Sequence, residues 1–353
     1  MKTQWCSIFN LLSLLFSRLL QRHVKTFAVK FTVGLCLSLL VFACTKNANN
    51  SNPASLASNP TANSERVIRI GYQKSGVLLL VKNRGGLEKR LSSLNTTVQW
   101  SEFPSPTPLV EALGAGKIDL GQTSSAGAVS AQAAEIDLVN VANSRPSPKS
   151  SAILVPKDSL IRKVADLKGK KVAFNKGSAA HFLVVQALTT NGLKYSDIQP
   201  VFLQPPDGRI AFEQGSVDAW AVWDPFLAAA QQSTNARILV NGEGLDPFRE
   251  FYIASRSFAN SNPNVVKQVI AEAQAVGDWA IKHPQEVAKF LAPQMKLDVA
   301  TLLLAESRKT RYGAQPIQTE ALADQQKVAD TFYELKLIPK PIKVVNAAWS
   351  PNP

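Results

Sequence analysis

Cysteine is nearly absent from this 353-residue chain: Cys6, Cys36 and Cys44 are the only three, and the 309 residues after Cys44 contain none. A disulfide scaffold, a zinc ribbon, an iron–sulfur cluster and a cysteine nucleophile are thereby excluded from the body of the chain. Histidine is almost as scarce. Only two of the three lie beyond Cys44, too few for a His-rich metal site, so neither a metal nor a cofactor is expected. Motifs of catalysis are missing too: there is no G-x-S-x-G, S-x-x-K, H-E-x-x-H or G-x-x-x-x-G-K-[ST]. Gly242-Glu243-Gly244 runs into Leu245-Asp246-Pro247 and fails the dinucleotide pattern. Ser178 and His181 share one helical turn, with no third residue evident to orient the imidazole.

Acidic residues are the minority charge, 26 against 39 Lys+Arg, for a net +13. Five of those cations, Lys2, Arg18, Arg22, Lys25 and Lys30, fall in the first 43 residues, which hold no acid; without them the balance is 34 against 26, or +8. The remaining Lys and Arg are scattered, with no run of five and no interleaved aromatics. A basic solvated surface explains them better than a nucleic-acid footprint. At 45% apolar and 18% charged residues the chain is globular in composition, and its length suits one large or two ordinary domains.

The N-terminus reads as an address. Phe31–Ala43 is an apolar run of 13 residues after Lys30, shorter than the about 20 residues of a membrane span but suited to a signal-peptide core. It ends in Val41-Phe42-Ala43-Cys44, which resembles the lipobox of bacterial lipoproteins, with Phe42 bulkier than usual there. The expectation is a signal peptide over 1–43 and lipidation of Cys44, where two acyl chains suffice for stable anchoring. An ordinary secreted protein or an uncleaved anchor are the alternatives. The extra apolar patch Ile8–Leu20 suggests that translation starts near Val24. Thr45–Ser64 has almost no large apolar residue and reads as a flexible tether, so 44–65 is assigned to a lipidated linker.

Strand and helix signals alternate from Arg66 onward. Val67–Gly71, Val98–Phe103 and Ile118–Gly121 read as strands. Thr107-Pro108 opens a helix through Leu113, and Ser124 or Ser125 caps an Ala-rich helix to Glu135. The pattern repeats with strand Lys171–Phe174, turn Asn175–Ser178 and helix Ala179–Thr190 ended by Gly192. Strand Ala219–Trp223 leads through Asp224-Pro225 into a helix to Gln232. Amphipathic helices follow around Val265–Ile281 and Gln285–Leu291. Such units imply mainly parallel sheets with flanking helices, in two assemblies. Ligands of open parallel sheets sit at the strands' carboxyl ends. Three polar junctions stand there: Thr123-Ser124-Ser125, Asn175–Ser178 and Trp223-Asp224-Pro225. The first two offer hydroxyls and backbone N–H groups with no acid, a setting for an anion.

At these junctions the chain resembles the aliphatic sulfonate-binding proteins of ABC importers. The resemblance rests on Gly71-Tyr72-Gln73-Lys74, Trp100–Pro104, Leu167–Lys171, Phe174–Ser178, Val217–Trp220, Trp223-Asp224-Pro225, Arg311-Tyr312-Gly313 and Ala329–Tyr333, in order across 67–349. It implies an α/β, two-lobed periplasmic-binding-protein type II fold with two interlobe crossings, near Ser150–Val155 and Arg249–Ala254. The expected divisions are 66–149 for lobe 1, 150–249 for lobe 2 and 250–353 for the return to lobe 1. One departure stands out. After the third strand the family has an acid followed by Thr-Pro or Pro-Pro, where this chain has Thr123–Ala128. Losing that carboxylate removes a contact for a ligand amino group and suits a fully anionic ligand better.

Ser178 and Gly177 are the first candidates for the sulfonate oxygens, with Ser124 and Ser125 at the matching junction of lobe 1. His181 either adds a donor or packs inward beside Val185. Gln73 follows the first strand and points where a ligand would lie; Lys74 supplies charge or is simply solvated. Trp223 is a wall for an alkyl tail or a core residue, and Asp224 is a helix cap before it is a ligand contact. Arg145, Arg209 and Arg249 are further anion partners on the resemblance alone. The expected function is a lipid-anchored, monomeric substrate-binding subunit that passes a small organosulfonate to a membrane permease and its ATPase, and no enzyme. Nitrate, taurine or a thiamin pyrimidine precursor as ligand remain open, as does a tethered enzyme on the same scaffold.

Overall fold

The structure, a computed structural model, describes residues 65–74, 76–309 and 313–350. The expected signal segment, Cys44 and the tether lie outside the described residues, as do Arg311 and Tyr312. Chain order begins β1 (Arg66–Tyr72), α1 (Val77–Arg84), α2 (Gly86–Ser92), β2 (Thr96–Glu102), α3 (Pro106–Gly114), β3 (Leu120–Ser124), α4 (Ser125–Ala133), β4 (Leu138–Asn143). The second lobe holds β5 (Ser151–Val155), β6 (Lys171–Phe174), α5 (Ala179–Thr190), β7 (Gln199–Phe202), α6 (Pro205–Glu213), β8 (Ala219–Trp223), α7 (Phe226–Thr234) and β9 (Arg237–Asn241). The chain then returns through β10 (Glu250–Ser255) to α8 (Arg256–Ser261), α9 (Pro263–Lys282), α10 (Pro284–Met295), α11 (Val299–Ser307) and α12 (Thr319–Glu334).

Each lobe is built on a five-stranded sheet, ordered β2-β1-β3-β10-β4 in the first and β7-β6-β8-β5-β9 in the second. One strand in each sheet runs against its neighbours. β10 is antiparallel to β3 and β4, and β5 is antiparallel to β8 and β9. Those two strands are the first elements after each crossing, which is why they enter their sheets reversed. The crossings occupy 144–150 and 242–249, somewhat earlier than expected. The segments Ser151–Val155 and Glu250–Ser255 are strands, and β5 is buried throughout. The Pro- and Ser-rich text Ser144–Lys149 and the Gly- and Pro-bearing text Gly242–Phe248 mark the true connections.

Burial explains the helices. All five residues from Val77 to Val81 are buried, and Gly85 closes α1 in the left-handed conformation at φ 65°. α5 is buried on nearly every side, from Ala179 to Leu188. It lies between its own sheet and the first lobe, so it needs no polar face. α9, α10 and α1 share one core with the near face of the first sheet, while Leu109, Val110, Leu113 and Ile118 pack on the far face. The second lobe has its own core around Phe174, Leu183 and Trp220.

A fourth cluster joins the lobes: Ala126, Val129 and Ala133 of α4, Phe182 of α5, and Val328, Ala329 and Phe332 of α12. Phe332 is 1% exposed, with its ring 6.2 Å from that of Phe182 and 5.1 Å from His181. Phe332→Ala would leave a cavity there and is expected to lower the unfolding free energy by about 3–5 kcal/mol. Denaturant unfolding measures it; a loss below about 1 kcal/mol would show that this packing matters little.

Candidate functional site

The carboxyl ends of β3 and β6 face each other across the interlobe cleft, and each feeds directly into a helix. β3 is longer than its apolar text suggests, because Gln122, Thr123 and Ser124 are buried and pair with Tyr252, Phe251 and Glu250 of β10. At its end Ser124 caps α4, its Oγ accepting from the Gly127 N–H at 3.1 Å. Opposite, Ser178 caps α5: its Oγ accepts from the His181 N–H at 3.4 Å and donates to the Asn175 carbonyl at 2.6 Å. Both hydroxyls are thus engaged in their own turns. The first-turn N–H groups of each helix have no helical carbonyl to satisfy them; that of Ser125 donates instead to the Arg249 carbonyl at 3.1 Å. Gly177, at φ 71°, is the close-approach point, where a Cβ would come 3.0 Å from Ser130 Oγ of α4.

Near these helix starts three buried donors, Gln122 Nε2, Thr123 Oγ1 and Ser125 Oγ, have no partner, and neither has one acceptor, Asn175 Oδ1. Gln122 and Thr123 are 4% and 2% exposed, so leaving them unsatisfied costs about 1–3 kcal/mol each unless something fills the site. They face a small cavity of about 20 Å³ lined also by Gln73, Ser124, Ser178, Ala179, Trp223, Phe248 and Glu250. A second cavity of about 40 Å³ shares Trp223, Phe248 and Glu250 and adds Ser144, Ser147, Ser150, Asp224 and Lys309. The smaller has room for about one water-sized group and the larger for about two or three. A third, of about 200 Å³, meets the first at Gln73 and Trp223 and is walled by Phe103, Phe226, Met295 and Leu297. The polar floor therefore continues into a wider apolar slot.

Of the candidates from sequence, Gln73, Ser124, Ser178, Trp223 and Asp224 line these spaces together. Gln73 is held by its Nε2 donating to the Gln122 carbonyl at 2.9 Å. Lys74 stands at the slot's edge, 3.5 Å from Glu102. Asp224 accepts from the Ala228 N–H at 3.1 Å, which caps the helix, and from Arg308 Nη1 at 2.8 Å, a tie between the second lobe and the end of α11. Arg308 also donates to Gln231. Burial pushes the Asp224 carboxyl up to about 7, against the pull of Arg308. Among the arginines, Arg249 turns away from the cleft to Glu320 and Asp324 of α12, at 2.6 and 3.0 Å, and Arg209 pairs with Glu213 at 2.8 Å.

His181 packs inward. Its ring is 1% exposed, stacked 4.9 Å from Phe174; Nδ1 accepts from the Gly177 N–H at 3.2 Å and Nε2 lies 3.1 Å from the Tyr195 hydroxyl. Its ring helps line a separate space, with Gly177 and Phe332, behind the helix starts. The residues that the sequence did not suggest are Gln122, Phe248, Glu250 and Lys309. An acid thus does reach the cleft, from β10 rather than from the turn after β3. The one available signal was Glu250 opening the run Phe251-Tyr252-Ile253-Ala254, an acid at the head of a buried strand.

Two sheets, two crossings and a donor-lined cleft between facing helix starts define a periplasmic solute-binding protein. A profile of the family described as NMT1/THI5 like matches residues 97–287. The periplasmic aliphatic sulphonate binding protein of Escherichia coli is 40% identical and superposes with a TM-score of 0.75 over 82% of this chain and 94% of that one. The alkanesulfonate-binding protein of Xanthomonas axonopodis pv. citri, solved bound to MOPS, gives 38% and 0.77 over 83% and 99%. The chain belongs to this aliphatic sulfonate-binding family. A desulfurization enzyme shares the fold alone, at 15% identity and a TM-score of 0.59.

Burial, and secondarily Lys176, lowers the His181 pKa from 6.5 to about 4. A depressed folded value means stability present above 6.5 and lost as pH falls from there toward about 4. Between pH 7 and 5 the melting temperature of the wild type is expected to fall more steeply than that of His181→Gln, which lacks the titrating ring. Equal slopes in thermal scans of the two proteins would remove His181 from the acid response.

Proposed function

We propose that this chain is the substrate-capturing subunit of an ABC importer, holding a small organosulfonate between its lobes and presenting it to a permease and its ATPase. The observation that carries this reading is the set of unsatisfied buried donors, Gln122 Nε2, Thr123 Oγ1 and Ser125 Oγ, beside two facing helix starts. A sulfonate offers three acceptor oxygens and a full negative charge, which the helix ends favour. Charge-assisted bonds to it contribute about 1.5–3 kcal/mol each. Family membership supports the same ligand class, and Gly177, Ser178, Ser124 and Ser125 supply the turns that aim the amides. The binding role, rather than catalysis, is supported by the relatives, which are named as binding proteins.

The slot beyond the head site sets the tail. Phe103, Trp223, Phe226, Met295 and Leu297 give it apolar walls, and its charges are paired among themselves, Lys74 with Glu102 and Arg209 with Glu213. An uncharged alkyl or aryl tail fits such walls better than an ammonium. The expected signal sequence and the lipobox-like text ending at Cys44 support a periplasmic or extracytoplasmic position, held to the membrane by two acyl chains, with a monomer as the working form.

Calorimetric titration with a series of alkanesulfonates tests the head and the slot together. Each added methylene is expected to tighten binding about fourfold until the slot is full, from about 0.8 kcal/mol per buried CH₂. Ala229→Phe, which fills the slot, should erase those increments and spare methanesulfonate. Binding of nitrate or a thiamin precursor in preference to every sulfonate would reject the reading. For the anchor, Cys44→Ser is expected to release the protein from washed membranes into the soluble fraction; retention on the membrane would reject lipidation.

A further inference from the structure

A carboxylate inside an anion site demands an explanation. Glu250 is the first residue of β10, set opposite Ser124, the cap of α4. Ser144 clamps its backbone: the Glu250 N–H donates to Ser144 Oγ at 3.0 Å, and its carbonyl accepts from the Ser144 N–H at 2.8 Å. Its side chain lines both small cavities, head site included. The carboxyl oxygens make no hydrogen bond to any described residue, whereas Asp224, Glu102, Glu306, Glu320 and Asp324 are each bonded to a cation.

An ionised Glu250 would repel a sulfonate held beside it, and in a cleft poor in water that repulsion is weakly screened. Either the ligand brings a cation or the carboxyl brings a proton. Lys309 decides between them. It lines the same cavity, bonded to Glu306 at 2.8 Å, so a ligand ammonium there would meet a like charge. We propose that Glu250 is a ligand-binding residue that engages the sulfonate as a neutral acid, its O–H donating to a sulfonate oxygen, so that capture takes up one proton from solvent and release returns it. This inference rests on the sulfonate reading above.

The surroundings agree. Burial pushes the Glu250 carboxyl up to about 7, with Lys309 pulling the other way, which puts the proton within reach near neutrality. Among the described residues the titratable groups around it are few. Lys309 follows α11, Asp224 with its partner Arg308 stands at the end of β8, and the Tyr252 phenol lies on the same strand. Arg249 is directed to α12. Among the described residues, β3, the first crossing and the start of α1 contribute only Gln122, Thr123, Ser124, Ser144, Ser147, Ser150, Gly76 and Val77 to these cavities.

The test is titration of the purified protein with ethanesulfonate from pH 6 to 9, in buffers of different ionisation heat. Affinity is expected to be flat below about pH 7 and to weaken by up to tenfold per unit above it, with up to one proton taken up per ligand. Glu250→Gln, neutral at every pH, should bind with neither the slope nor the buffer-dependent heat. A wild type with no proton uptake and a flat profile overturns the proposal. So does an unchanged slope in Glu250→Gln, or a preference above pH 7 for aminoethanesulfonate over ethanesulfonate. Should Glu250→Gln fail to fold, the buffer-dependent heat of the wild type decides alone. No sulfonate binding at any pH would instead bring down the functional reading, and this inference with it.

Discussion

Two helices that start face to face cannot satisfy each other. α4 and α5 leave the carboxyl ends of β3 and β6 from opposite sides of one cleft, and each brings the positive end of its dipole to the gap. Like ends repel until something negative lies between them. The two sheets, the reversed strands β5 and β10 and the two crossings all serve this confrontation. They set two similar βα units with their binding edges opposed and keep the rest of the chain out of the gap. Shape follows from that requirement as much as from the cores beneath it.

The same constraint explains how the polar groups are shared out. The cap hydroxyls of Ser124 and Ser178 stay with their own helices, which holds the amide groups rigid. Three ion pairs stand at the cleft and the slot, Lys74 with Glu102, Arg209 with Glu213 and Arg308 with Asp224, which leaves the Glu250 carboxyl as the exception among the described residues. Arg249, the most deeply buried guanidinium of the second crossing, is used to bind that crossing to α12 and not to hold an anion.

Much of this was legible in the text of the chain. β1, β6 and β8, and the helices after β6 and β8, follow from short β-branched or apolar runs ended by Gly, Ser or Pro, while the helices Val77–Arg84 and Gly86–Ser92 after β1 went unread. What stayed hidden is what depends on pairing. Gln122, Thr123 and Ser124 read as loop because they are polar, yet β10 makes them strand. β5 and β10 read as connections because an apolar run of five or six residues carries no sign of its direction. Glu250 and Lys309 are far from the junctions in sequence, and only the antiparallel return of β10 and the end of α11 bring them to the floor. His181 was open between ligand and core; its burial against Phe174 and Phe332 comes from a helix packed on both sides, which periodicity alone does not reveal.

The tie from Arg308 to Asp224 crosses the cleft and is nearly buried, with side-chain exposures of 11% and 1%. Pulling the lobes apart would return both ions to water, and the hydration regained offsets most of the attraction lost. Such a pair adds little to the force that keeps the molecule shut. Its value is angular: a guanidinium meets a carboxylate well in few orientations, so the pair fixes the alignment in which the two lobes meet.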